Sequence, residues 1–226
     1  YGNKYTTFSP PVKLDWSTEG GFINAVEKCN GVGACRKVNA GAMCPSYQAT
    51  REEMHSTRGR ANTLRSVLSG SLPKETLHSK ELFEVFSLCV ECKSCKSECP
   101  SNVDMAKIKS EFLYGYNKKN GTPITSRFIG NIHSISAMTI PLAPIFNFVT
   151  GTAAFRFINE KLFGFDRRRK LPPLVTQTFE SWFKKRATNT TGTRGNIVLF
   201  HDTFMNFNLP ESGIGATRIL EALGFN

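Results

Sequence analysis

Three observations predict a mainly α-helical chain. Apolar residues recur at helical spacing in several stretches, two Cys-Pro corners each precede such a stretch, and only Ile197-Val198-Leu199-Phe200 carries a clear strand signature. Residues 1–20, with Pro10, Pro11 and Gly20, lack a helical period and predict an extended lead-in. Over 50–68, Met54, Ala61, Leu64 and Val67 lie among Glu52, Glu53, Arg58, Arg60 and Arg65, which predicts one helix or two short ones. The simplest reading of Arg58 and Arg60 is an exposed pairing with Glu52 and Glu53; an anionic substrate tail is the alternative. Leu82, Val85, Phe86 and Leu88 form an apolar stripe ahead of Cys89. After Pro100, Ser101-Asn102 supplies a cap for a helix from near Val103, with Met105, Ile108, Phe112 and Leu113 inside and Asn120-Gly121 at its end.

Residues 121–185 form a second helical segment. From Ile129 to Phe155 it contains no Asp, Glu, Lys or Arg. That is long enough to cross a bilayer, but Asn131, His133, Pro141, Pro144 and Asn147 suit a buried hairpin bent at the prolines better. The competing expectation is an interfacial patch on a membrane or a partner, with Arg167-Arg168-Arg169-Lys170 close behind it. Residues 186–195 read as a linker, and 196–226 as the truncated start of an α/β domain, a strand followed by a helix over 214–223 closed by Gly224. One strand and one helix cannot close a sheet, so the chain is expected to be a piece of a longer polypeptide.

All seven cysteines fall in two groups. Cys89, Cys92, Cys95 and Cys99, with Pro100, follow C-x2-C-x2-C-x3-C-P, the bacterial-type iron–sulfur run, whose fourth thiolate serves a different cluster. The second site this demands is supplied by Cys29, Cys35 and Cys44, the last followed by Pro45. Crossed ligation then assigns Cys44, Cys89, Cys92 and Cys95 to one 4Fe-4S cluster. Cys29, Cys35 and Cys99 are left for a second, one cysteine short. That site can hold a three-iron centre, a four-iron cluster with a non-cysteine ligand such as His55, or no cluster. Gly31 and Gly33 let the backbone pass close to the inorganic sulfide and offer peptide N–H groups to it, or they simply make a turn. The expected architecture over 21–120 is therefore an α-helical ferredoxin-type domain.

Disulfides fit poorly, since the cysteine number is odd, the spacing is tight and the chain shows no signal peptide. Zinc is the stronger rival, but its sites pair separated C-x2-C units or histidines. Reduced, metal-dedicated cysteines point to the cytoplasm. The net charge of +11 suits a nucleic acid, an anionic membrane or an acidic protein. Aromatic and basic residues are not interleaved in a nucleic-acid motif, so no nucleic-acid partner is expected, and a zinc-bound nucleic-acid module is the least favoured class. Arg36, Lys37, Lys93 and Lys96 beside the cysteines offset cluster charge and account for part of the basicity.

Three stretches carry a family resemblance: Cys29-Asn30-Gly31-Val32-Gly33-Ala34-Cys35-Arg36, Met43-Cys44-Pro45-Ser46-Tyr47, and His55-Ser56-Thr57-Arg58-Gly59-Arg60-Ala61-Asn62. They resemble the iron–sulfur region of fused FAD-linked oxidases such as the D-2-hydroxyglutarate and D-lactate dehydrogenases. Asp166-Arg167-Arg168-Arg169 and Phe179 to Phe183 are similar to the stretch that follows the clusters there, and Phe200-His201-Asp202-Thr203-Phe204 resembles the opening of the cysteine-rich domain. The resemblance implies electron transfer in this chain and no catalytic residue of its own. It places FAD in a flavin domain upstream, which oxidises a small 2-hydroxy acid of the D-2-hydroxyglutarate, D-lactate or glycolate class and passes electrons to an acceptor. A separate iron–sulfur subunit, as in anaerobic glycerol-3-phosphate dehydrogenase or heterodisulfide reductase, is the second reading. Such relatives keep regular spacing in both cysteine groups, and the first group here departs from it. Peripheral contact with the inner face of the membrane is a further expectation.

Overall fold

A computed structural model describes residues 5–187 and 192–226; residues 1–4 of the lead-in and 188–191 of the expected linker lie outside the described residues. The chain divides into two compact units at Thr122–Pro123, each taken by itself. Among the described residues the regular structure is helical and contains no strand.

The first unit holds α1 (Phe22–Glu27), α2 (Pro45–Thr50), α3 (Thr57–Leu68), α4 (Lys80–Ser87), α5 (Ser94–Glu98) and α6 (Met105–Asn120), with a single 3-10 turn before α1 and in each of the three connections from α1 to α4. The region 50–68 becomes a 3-10 turn over Glu53–His55 and then α3, whose start is set by Ser56 Oγ accepting the Gly59 N–H at 2.8 Å. Ser79 caps α4 in the same way. The cap of α6 is Asp104, accepting the Lys107 N–H at 3.0 Å, rather than Ser101 or Asn102. Asn102 instead takes a positive φ of 53° in the corner after Pro100, and that corner postpones the helix to Met105.

Val26, Leu64, Val67, Leu68, Leu82, Phe86 and Ile108 form the fully buried centre of this unit. Phe86 stacks on Phe112 at 4.6 Å and locks α4 to α6. The extended lead-in is pinned by Glu111 of α6. Its buried carboxylate accepts the Lys13 N–H (2.7 Å), the Leu14 N–H (2.9 Å) and the Trp16 indole N–H (2.9 Å). Glu111→Ala strands three donors and is expected to cost about 3 kcal/mol, read as a lower thermal midpoint of the whole chain. Glu111→Gln, which keeps one acceptor oxygen, should cost less.

The second unit holds α7 (Ile124–Gly130), α8 (Ile132–Thr139), α9 (Ala143–Gly151), α10 (Ala153–Phe163), α11 (Phe179–Lys185), α12 (Thr203–Phe207) and α13 (Pro210–Ala222). Its small core is Ala143, Leu174 and Phe207, flanked by Ile140 and Phe146. Asn147 of α9 bonds the Leu174 backbone in both directions, at 2.8 and 2.9 Å. Helices of the 121–185 and 196–226 segments thus pack in one unit. Residues 197–200 stay unpaired and extended, with Val198 96% and Phe200 85% exposed. A strand needs a neighbour, and among the described residues only the Ile197 N–H of this run makes a backbone bond to another segment, donating to the Asn226 carbonyl.

The uncharged stretch is not a buried hairpin. Of Ile132–Gly151, long and apolar enough by composition to cross a membrane (mean hydropathy 1.4), only Ser136, Ala143 and Thr150 are buried. One face packs through Ala143 and the His133 ring against Phe207 and through Asn147 on the Leu174 backbone. The other presents Met138, Leu142, Ile145 and Phe148 to solvent. The prolines bend the run, but the second unit has too little core to cover both faces.

Candidate metal centre

The two cysteine groups interleave in space. Cys44, Cys89, Cys92 and Cys95 line one cavity, together with Ser46, Thr57 and Arg60. Cys29, Cys35 and Cys99 line a second, with Gly33, Thr57 and Arg58. Thr57, at the first position of α3, borders both, so the two cavities are neighbours. Glu98 ties the groups together, its carboxylate accepting the Ala42 N–H at 2.8 Å and the Met43 N–H at 3.1 Å. That clamp brings Cys44 across to the later run and leaves Cys99, one residue on, facing the earlier one. Gly41 sits in the same clamp, where a Cβ would overlap Glu98.

Peptide N–H groups left free at helix starts are aimed at sulfur. The Arg58 N–H in the first turn of α3 donates to Cys35 Sγ at 3.4 Å, and the Met105 N–H opening α6 donates to Cys95 Sγ at 3.3 Å. Cys44, buried at the corner before α2, is approached by Ser46 Oγ at 3.5 Å and Arg60 Nη1 at 3.5 Å. Burial opposes its ionisation, but hydrogen bonds from Ser46 and the Tyr47 N–H, the Arg60 charge and Thr57 bring its pKa below the ordinary thiol value. Cys35 and Cys95 are pushed up by burial, a rise only partly offset by the N–H groups of Arg58 and of Met105 and Ala106. Iron would supply the positive charge that buried thiolates need.

Other expected residues separate. Gly33 lines the three-cysteine cavity with φ 77°; Gly31, φ 82°, lies outside its lining and gives its carbonyl to Arg58 Nη1 at 3.3 Å. Both positions need the left-handed backbone that glycine adopts without strain. His55 is not among the lining residues of that cavity; its Nδ1 lies 3.0 Å from Thr50 Oγ1 and 3.5 Å from Glu52. Arg58 does pair with Glu53, at 2.7 Å. Arg60 does not: it is fully buried, and its guanidinium reaches the Val85 carbonyl (2.9 Å), Ser46 Oγ (3.0 Å) and Cys44 Sγ. Arg65 holds the first cysteine of the chain in place by donating to the Cys29 carbonyl at 2.6 Å. Lys93 lines the four-cysteine cavity, 3.7 Å from Asp104, while Arg36 is drawn to Glu53 at 3.2 Å.

Among the described residues no three His, Cys, Asp or Glu side chains converge closely enough for a single metal ion. The cysteines instead ring two cavities, as ligands of a multi-atom group do. Thiol-rich walls, N–H groups aimed at sulfur and a buried cation without a carboxylate together fit iron–sulfur clusters.

Residues 25–103, which contain all seven cysteines, match the family model of the 4Fe-4S dicluster domain, so the chain carries an electron-transfer domain of that class. It is similar to the D-2-hydroxyglutarate dehydrogenase of Escherichia coli K12, 26% identical over 96% of this chain and 27% of that protein, and to the one of Pseudomonas putida, 31% identical over 58% of this chain and 16% of that protein. One subunit of the anaerobic glycerol-3-phosphate dehydrogenase of E. coli K12 is 29% identical over 40% of this chain and 23% of its own length. The chain thus spans about a quarter or less of these relatives. No solved structure matches it.

Proposed function

We propose that this chain is the electron-transfer portion of an FAD-linked oxidoreductase acting on a small 2-hydroxy acid. Cys44, Cys89, Cys92 and Cys95 hold one 4Fe-4S cluster, and Cys29, Cys35 and Cys99 hold a second, irregular one. The carrying observation is the division of the seven cysteines between two adjacent cavities. Bound clusters accept and release single electrons, which lets a two-electron flavin be drained stepwise. The chain's own residues hold the sulfurs, direct N–H groups at them and keep most of them from water. Cys92 alone among the seven is exposed, and it marks the edge where an electron partner can come close.

The test uses the full-length polypeptide, flavin loaded and kept anaerobic. D-2-hydroxyglutarate, D-lactate or glycolate should bleach the cluster absorbance, one of them far faster than the others. Bleaching by glycerol 3-phosphate alone would favour the second reading, a separate iron–sulfur subunit, which the likeness to the glycerol-3-phosphate dehydrogenase of E. coli supports.

The exposed apolar face of α8 and α9, with Arg156, Lys161 and the run Arg167 to Lys170 nearby in sequence, supports a peripheral contact with an anionic bilayer. Sedimentation with vesicles should show at least about tenfold more protein on phosphatidylserine than on phosphatidylcholine at low salt, with the difference lost at high salt. Phe148→Ser should weaken both. Equal, negligible binding to the two vesicle types would assign that face to a protein neighbour.

A further inference from the structure

Among the described residues Arg60 is the largest side chain with no solvent exposure. A buried guanidinium ordinarily faces a carboxylate, because an uncompensated charge in the interior is expensive. Here all its hydrogen bonds go to neutral acceptors and one thiol, namely the Val85 carbonyl, Ser46 Oγ and Cys44 Sγ. Among the described residues it makes no salt bridge, whereas Lys93, which lines the same cavity, pairs with Asp104 at 3.7 Å, and Lys109, which donates to the Cys89 carbonyl, pairs with Glu91 at 3.6 Å. The neighbouring cavity differs. Its arginine, Arg58, is partly exposed and shares its charge with Glu53 at 2.7 Å. The four-cysteine cavity therefore keeps one unscreened, uncompensated positive charge against its wall, and its counter-ion has to be the thiolate of Cys44 and whatever that thiolate binds.

We infer that Arg60 is the residue that raises the reduction potential of the cluster at Cys44, Cys89, Cys92 and Cys95. Reduction adds one electron to the cluster, and a buried cation in contact with a ligand sulfur stabilises the more negative state. A low local dielectric makes the interaction strong, and the fork of Nε, Nη1 and Nη2 contacts holds the charge at one position. Because Arg60 touches only this site's cysteines, the effect is confined to one of the two clusters. The inference rests on the cluster assignment proposed above.

The experiment is a dithionite titration of the anaerobically purified chain followed by electron paramagnetic resonance, with iron and labile sulfide measured on the same samples. Arg60→Gln removes the charge and should lower the reduction equilibrium constant of one cluster at least tenfold, a shift of about 59 mV for one electron. The other cluster should keep its midpoint. Arg60→Lys retains the charge and should stay close to the unsubstituted chain. Resonance reads only cluster-bearing molecules, so partial loading of Arg60→Gln leaves the comparison intact. If Arg60→Gln carries no cluster at this site, Arg60→Lys decides: an unchanged midpoint supports the charge role, and a tenfold fall overturns it in favour of the fork geometry. A loaded Arg60→Gln with both midpoints unchanged also overturns it. An unsubstituted chain without iron and sulfide would instead refute the cluster assignment itself, which separates the two failures.

Discussion

Cys44→Ala is expected to remove the cluster held by Cys89, Cys92 and Cys95, although Cys44 belongs to the earlier group in the sequence. That site should lose its four-iron signal, with about four irons and sulfides gone, or about one iron where the three remaining cysteines keep a three-iron centre, and the resonance of the irregular site should be retained. Cys99→Ala is the mirror case. It closes the regular run, yet its side chain lines the cavity of Cys29 and Cys35, so its loss should empty the irregular site and spare the regular one. The physical basis is the Glu98 clamp on Ala42 and Met43, which ties the earlier group to the end of the later run. If Cys44→Ala silenced the irregular site instead, ligation would be uncrossed and the account of both cavities would fail.

Gly59→Ala should be the most damaging single methyl in the chain. A Cβ at Gly59 would overlap the Glu53 carbonyl oxygen and sit 3.1 Å from Met54 Cα, backbone atoms that no rotamer change can move. The 3-10 turn over Glu53–His55 would have to leave α3, at a cost of about 3 kcal/mol or more. Four links to the two sites start from this junction: Thr57 between the cavities, the Arg58 N–H on Cys35, the Arg60 fork on Cys44, and the His55 carbonyl accepting from Ser46 Oγ at 2.8 Å. Loss of both clusters together, with a lower thermal midpoint, is the expected result. Gly130→Ala, where a Cβ meets nothing, is the control and should change neither.

The cysteine spacing made much of the candidate site legible, because the ligand pattern of a cluster is local chemistry written at fixed intervals. The helices of the first unit were legible for the same reason: stripes such as Leu82, Val85 and Phe86 repeat at the helical period and are buried. Arg60 reads from its charge as an exposed partner of Glu52 and Glu53, yet it shares the face of Leu64, Val67 and Leu68, all fully buried. Its place in that period was the available signal, and the charge concealed it. Asp104 as the cap of α6, and Glu98 as the clamp, depend on how the corner after Pro100 turns, which no interval in the sequence encodes. His55 lies near the cysteines along the chain, but the Thr50 hydroxyl and Glu52 take its ring. The uncharged stretch was legible as apolar and not as exposed, since composition does not say whether there is enough protein to cover it.

The central claim is that the seven cysteines carry two iron–sulfur clusters. The most direct measurement is iron, acid-labile sulfide and zinc per chain on anaerobically purified protein, with its visible and resonance spectra. The account predicts brown protein with about seven to eight irons and about eight sulfides, and two resonance signals across the oxidised and dithionite-reduced samples, one from a four-iron cluster and one from the site with three cysteines. About four irons with one signal would remove the second centre, and colourless protein carrying zinc without sulfide would contradict the redox reading altogether.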